Sequence, residues 1–275
     1  MSSLSILNNI PALVAQNDLE TTSNSLNNVL YQLASGSRIN SGADDAAGLA
    51  IADGLHANET ALDQSASNAN DGVGALQVAD GALSQVTNLL NRAVTLATES
   101  STGTVSDSQR TAIQAEFAQI QAEIDTIGGS TEFNGTSVFS ATPTSVFLSD
   151  GNSAANTTIS VSVGALSASG LGLGSGVDLS SASDAQSALS LIDTAIATVA
   201  GDRGTIGANI NRLQASSSVE TTEVQNLTAA EDSIRGADVA TVVANLSKYS
   251  MLQQTGITAV SQANSAQQGL LKLLE

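Results

Sequence analysis

The sequence predicts a mainly α fold: long helices packed along narrow, coiled-coil-like seams into an elongated rod, with a small β-hairpin region set into it. Three observations carry that prediction. Apolar residues alternate spacings of three and four along three separate segments. Aromatic residues make up 2% of the 275-residue chain, with no Trp and no Cys, so a thick globular interior lacks its usual material. One internal stretch, 133–178, drops the helical period and every Lys and Arg, and fills with Gly, Ser and Thr.

Along the chain, Leu19, Leu26 and Leu33 recur at heptad spacing near the start. Ser41 followed by Asp44 and Asp45 supplies a cap and two carboxylates for the first turn of the next helix. That helix carries Gly48, Gly54, Gly72, Gly74 and Gly81, each costing about 1 kcal/mol relative to Ala. Asp71-Gly-Val-Gly74 therefore reads equally well as helix or as turn. The first full seam is Leu76, Ala79, Leu83, Val86, Leu90, Ala93 and Ala97. Ser106 and Asp107 open a second helix with Ile113, Phe117, Ile120, Ile124 and Ile127 along one face.

Within 133–178, Ser145-Val-Phe-Leu148 and Thr158-Ile-Ser-Val-Ser-Val163 alternate like strands. The turn-rich Ser149-Asp-Gly-Asn-Ser153 lies between them and predicts a hairpin. Gly170-Leu-Gly-Leu-Gly-Ser-Gly176 reads as a loop; no strong strand precedes it, as a nucleotide cradle requires. Ser183 and Asp184 open a third long helix with Leu189, Ile192, Ile196, Val199, polar Arg203, Ile206, Ile210 and Leu213. Narrow seams of this period pack at shallow angles against one another. The last segment keeps the alternation in Val260, Ala263, Gln267, Leu270 and Leu274, with a polar residue inside it. Seams as sparse as the two terminal ones do not hold isolated helices in water, so both ends are expected to wait for partners. Leu19, Leu26, Leu33, Val260, Leu270 and Leu274 are the candidate residues for meeting those partners.

The charge excludes some partners. With 26 acidic against 8 basic residues the net charge is −18, which disfavours nucleic acid and anionic membrane surfaces. The first ten residues lack the basic segment and apolar run of a cleaved signal, so export is expected by a route that needs none. No run reaches the 18 or so apolar residues of a membrane span. His56 is the single histidine, and zero Cys removes thiol chemistry. Asp44 and Asp45 diverge by about 100° on a helix and cannot easily serve one reaction centre. No catalytic, cofactor or metal constellation emerges, and the chain reads as a structural protein rather than an enzyme.

The stretch Leu33-Ala-Ser-Gly-Ser-Arg-Ile-Asn-Ser-Gly-Ala-Asp-Asp-Ala-Ala-Gly-Leu-Ala-Ile-Ala52 closely resembles the N-terminal signature of bacterial flagellins. Asn68-Ala-Asn-Asp-Gly72 and Thr131-Glu-Phe-Asn-Gly135 resemble further flagellin motifs. Ile206-Gly-Ala-Asn-Ile-Asn-Arg-Leu213, Asn226-Leu-Thr-Ala-Ala-Glu-Asp-Ser-Ile234, Leu252-Gln-Gln-Thr-Gly256, Gln262-Ala-Asn264 and Leu270-Leu-Lys-Leu-Leu274 follow in the family's order. The resemblance implies one helix from about 41 to 101, roughly 90 Å long. It implies terminal segments 1–40 and 236–275 pairing as a coiled coil that lines the filament's inner tube. A helical rod from 41–132 and 179–235 surrounds that tube, with 133–178 as its β-hairpin and loop region and no large outer domains.

On this resemblance the chain is a secreted subunit that polymerises with itself into the flagellar filament. Its expected partners are an export chaperone, the filament cap and the hook-associated junction proteins. A junction protein of the same superfamily is the competing reading, and the uninterrupted signature from Arg38 to Asp45 favours the filament subunit. Arg92, Leu96 and Glu116 match positions through which the animal flagellin-sensing Toll-like receptor contacts recognised members, with Glu99 where Gln is usual.

Overall fold

The computed structural model describes residues 9–142, 144–149, 158–161 and 163–272, with side chains as far as 269. The chain forms two compact units, 1–57 with 227–275, and 58–226. Five helices run α1 (Ile10–Ser35), α2 (Ala46–Ser100), α3 (Asp107–Ser130), α4 (Ala182–Arg235) and α5 (Val239–Lys272). Four short strands lie between α3 and α4: β1 (Glu132–Phe133), β2 (Thr136–Ser137), β3 (Thr144–Phe147) and β4 (Thr158–Val161).

In the 58–226 unit, every residue of the seam from Leu76 to Ala97 is buried. The alternation continues beyond the sequence reading in both directions. Leu62, Ser65, Ala69 and Gly72 extend it backwards and Ser100 closes it, all buried. The glycine pair does not break α2, because the hairpin region presses on it. A Cβ on Gly72 would lie 2.8 Å from Val146 Cγ2, and one on Gly74 would lie 3.3 Å from the Phe133 ring. Here glycine costs helix propensity and gains close approach.

Helix α4 buries Ala185, Ile192, Val199, Ile206, Leu213 and Glu220, one residue per heptad, with Ala188 and Ala195 between them. The expected seam is corrected at three positions: Leu189, Ile196 and Ile210 are half-buried on its shoulder. Alanines occupy three of the innermost positions, which allows closer helix approach than branched side chains would. Arg203 sits at the rim and binds Asp80 of α2 through two hydrogen bonds, from Nε at 2.8 Å and Nη2 at 3.2 Å.

Helix α3 buries Ile113, Phe117, Ile120 and Ile124, and Ile127 packs half-buried against the same core. Its other face holds down a strap without regular structure. Gln114 Oε1 accepts from Leu179 N at 2.7 Å, Gln121 Nε2 donates to Leu173 O at 2.8 Å, and Asp125 Oδ1 accepts from Ala168 N at 2.7 Å. Side chains thus satisfy backbone groups that would otherwise be stranded under Leu166, Leu171 and Leu173, which enter the core. The Gly170–Gly176 loop lies in this strap, as expected. Arg110, 7% exposed, turns back to the end of α2, donating to Ser100 O at 3.0 Å and Thr102 O at 2.8 Å. It answers two carbonyls at a helix C-terminus, where a cation is favoured.

The expected hairpin forms as β3 and β4, antiparallel, with Val146 opposite Ile159. Most of its predicted turn, 150–153, lies outside the described residues. A second hairpin, β1 and β2, escaped the reading although Asn134-Gly135 signals it. Both turn residues have positive φ, 51° and 74°. Two expected helix caps move. Asp45, rather than Ser41, caps α2 by accepting from Gly48 N at 2.9 Å, while Asp44 closes a turn ahead of it on Ser41 N. Ser181, rather than Ser183, caps α4 by accepting from Asp184 N at 3.1 Å. Ser106 begins α3 as read, its N–H donating to Gln109 Oε1 at 2.9 Å.

Two glycines test this packing. A Cβ at Gly81 meets nothing within 4 Å, so Gly81→Ala is expected to stabilise the protein by about 1 kcal/mol. A Cβ at Gly128 would collide with the backbone oxygen of Leu166, so Gly128→Ala is expected to cost about 1–3 kcal/mol. Thermal unfolding of the two variants checks the opposite signs.

Candidate assembly surface

The 1–57 and 227–275 unit is built on the pairing of α1 with α5. Asn9 caps α1 by accepting from Ala12 N at 3.1 Å, and its Nδ2 donates to Ala263 O at 3.3 Å. At the other end Ala237 N donates to Gly36 O at 3.0 Å. Low numbers of one helix meet high numbers of the other, so the pair is antiparallel. Asp238 starts α5. The hydroxyl of Thr241, then the N–H groups of Thr241 and Ala240, hold its carboxyl below the usual carboxylate range.

The contact stripe keeps the three-and-four alternation on both helices. On α1 it is Ala12, Ala15, Leu19, Thr22, Leu26 and Val29; on α5 it is Val242, Leu246, Tyr249, Gln253, Gly256, Val260, Ala263 and Gln267. Leu19, Leu26 and Val260 are half-buried in this stripe. Leu33 keeps the phase but is 37% exposed, so the α1 seam ends in effect at Val29. The side chain of Leu270, and all of Leu274, lie outside the described residues. The two helices approach closely at Gly256, where a Cβ would lie 3.1 Å from Leu19 Cδ1.

Only Val29 and Val242 in this stripe are fully buried, whereas large apolar side chains line the outside. Leu13, Val14 and Tyr31 on α1, and Val243, Met251 and Ile257 on α5, are all exposed, Tyr31 at 70% and Met251 at 66%. These residues were missed in the sequence because they fall out of phase with the seam. Their own signal was there: apolar residues spread around two helices instead of gathering on one stripe.

Where the helices end, the two connections are tied together. Ser37 bridges Gly236, Arg38 N donates to Arg235 O at 2.6 Å, and Arg38 Nη2 donates to Ile234 O at 2.8 Å. A Cβ at Gly236 would strike Asp232 O, so the crossing requires glycine. Arg235 in turn reaches Glu231 at 3.2 Å and Asp53 at 3.4 Å. His56, the single histidine, lies on the helix surface with Nδ1 3.4 Å from Glu231 Oε2 and a side chain 64% exposed.

The receptor-contact candidates belong to the other unit. Arg92 Nε donates to Glu116 Oε1 at 2.7 Å, an exposed ion pair joining α2 to α3. Glu116 is held below the usual carboxylate range by that hydrogen bond first. Leu96 is corrected as a surface residue: it is 1% exposed and packs inside the core. Among the described residues no helix is long and apolar enough to cross a membrane.

Residues 6–144 match the family model of the bacterial flagellin N-terminal helical region, and 189–274 match that of the C-terminal helical region. The chain belongs to the bacterial flagellin family. A flagellin of Halalkalibacterium halodurans is 34% identical over 98% of this chain and 99% of its own. A flagellin of Listeria monocytogenes is also 34% identical, over 97% of this chain and 98% of its own. The match runs end to end at nearly equal length, so this is a flagellin of the short form, without a large outer domain. A solved Vibrio parahaemolyticus protein assigned to the flagellar hook-associated class shares the fold. It has a TM-score of 0.60 over 70% of this chain and 100% of its own, at 17% identity.

Proposed function

We infer that this flagellin is the structural subunit of the extracellular filament and that its terminal helices are the parts that polymerise. The carrying observation is the imbalance on the α1–α5 pair. Its inner stripe is thin and partly polar, while Leu13, Tyr31, Val243, Met251 and Ile257 remain exposed. Apolar surface of that extent is costly in water and is covered in an assembly. The occupant that fits a filament subunit is the same pair on neighbouring copies. Segments 1–40 and 236–275 then form the inner tube, 41–132 with 179–235 the wall, and 133–178 the hairpin and loop region of the wall. A net charge of −18 favours solvent on the remaining surface.

The same exposed pair must be kept from assembling inside the cell, which calls for an export chaperone, and must be placed at the growing end, which calls for a cap. Hook-associated junction proteins are the expected neighbours at the filament base. A junction role for this chain itself is the weaker reading. The uninterrupted signature from Arg38 to Asp45 and the end-to-end similarity to flagellins both favour the filament subunit.

Deleting 1–40 and 236–275 is expected to leave a helical monomer that forms no filaments, read by circular dichroism and electron microscopy. A truncated chain that still polymerises overturns the assignment. A further proposed partner is the host flagellin-sensing Toll-like receptor, at the exposed Arg92–Glu116 pair, with buried Leu96 supporting that surface. Arg92→Ala monomer is expected to lose most receptor signal while melting close to wild type, because an exposed pair contributes little stability. An unchanged signal contradicts the contact.

A further inference from the structure

The heptad line of α4 contains one residue of the wrong chemistry. Ala185, Ile192, Val199, Ile206 and Leu213 are followed at the same spacing by Glu220, which is 7% exposed. The residue facing it from the α2 seam is Ser65, 1% exposed, whose hydroxyl donates to Glu220 Oε1 at 2.9 Å. The other oxygen, Oε2, is shut from solvent and meets no hydrogen-bond donor. An ionised carboxylate is acceptor-only and needs donors on both oxygens, so this position accommodates the neutral acid far better than the anion.

The surroundings point the same way. On α2 the neighbouring seam positions are apolar Leu62 and Ala69, and Asp63 beside them is exposed to solvent. On α4 the charge acting on Glu220 is Glu223, less than one turn further on and also acidic. Burial, the largest cause, pushes the Glu220 carboxyl up; the Ser65 hydroxyl pulls it down by less than that, and Glu223 adds a smaller push upward.

We propose that Glu220 is a proton-operated latch in the α2–α4 seam. With a proton on Oε2 the seam closes over a neutral acid; when that proton leaves to solvent, the segments around Ser65 and Glu220 loosen while the apolar seam beyond them holds. The sign follows from linkage. A carboxyl whose folded pKa is raised contributes stability that is complete below its ordinary value, and that stability is lost as pH rises through the folded value. The latch is therefore shut in mildly acidic medium and slack in alkaline medium. It is a property of the folded subunit and does not depend on the assembly surface.

The test compares full-length monomeric wild type with Glu220→Gln, which is neutral at every pH, at about pH 5 and about pH 8. Glu220→Gln is expected to melt several degrees above wild type at the higher pH and close to it at the lower. Hydrogen exchange in wild type, corrected for its intrinsic pH dependence, is expected to speed up at 62–69 and 217–224 between the two conditions, and not to do so in Glu220→Gln. A melting difference that is the same at both pH values, or exchange that ignores pH in both proteins, overturns the latch. Should the variant fold poorly, carbon NMR of the wild-type glutamate carboxyls decides. One buried carboxyl titrating above the rest is expected, and all of them titrating in the ordinary range or below refutes the proposal.

Discussion

A narrow apolar seam has to be covered by another helix lying almost parallel to it, and the organisation of this flagellin follows from where each seam finds its cover. Within residues 58–226 the cover is complete: α2, α3 and α4, with the strap beneath α3, bury one continuous apolar cluster. In the unit formed by the two ends it is incomplete. The α1–α5 stripe places Thr22, Gln253 and Gln267 where a self-sufficient seam carries Leu or Ile, and larger apolar residues face outward. One part of the chain folds on its own chemistry, and the other is, on the proposed assembly, finished by its neighbours.

The irregular parts obey the same constraint. Helix α2 keeps Gly72 and Gly74 because Val146 and the Phe133 ring press onto it there, so lost propensity is exchanged for packed hairpins. The strap from Leu166 to Leu179 has no ladder of its own, and Gln114, Gln121 and Asp125 supply the hydrogen bonds that let its leucines enter the core. Arg110 does the same for the carbonyls at the end of α2. Polar side chains at regular helical spacing here act as backbone partners rather than as solvated surface.

Much of this was legible in the sequence. The α2 and α3 seams stand where the apolar period placed them, because burial on one stripe leaves a strong periodic mark. The α4 seam was legible in phase and wrong in detail. Leu189 and Ile196 outweigh Ala188 and Ala195 on any hydrophobicity count, yet it is those alanines that are fully buried. Ser65, Ser100 and Glu220 were hidden because a search for apolar residues passes over polar ones in phase. Leu96 looked like surface by resemblance, and only packing reveals it as core. The outer faces of α1 and α5 were hardest to read, since their apolar residues fall out of phase with the seam and meet no partner pattern within the one chain.

That division between a self-sufficient unit and an unfinished one is best tested by residue-resolved hydrogen exchange on the same flagellin as free monomer and as polymer. The account predicts slow exchange along Leu76–Ala97 in both states, with α1 and α5 exchanging rapidly in the monomer and becoming protected in the polymer. Terminal helices as protected in the free monomer as in the polymer would contradict it.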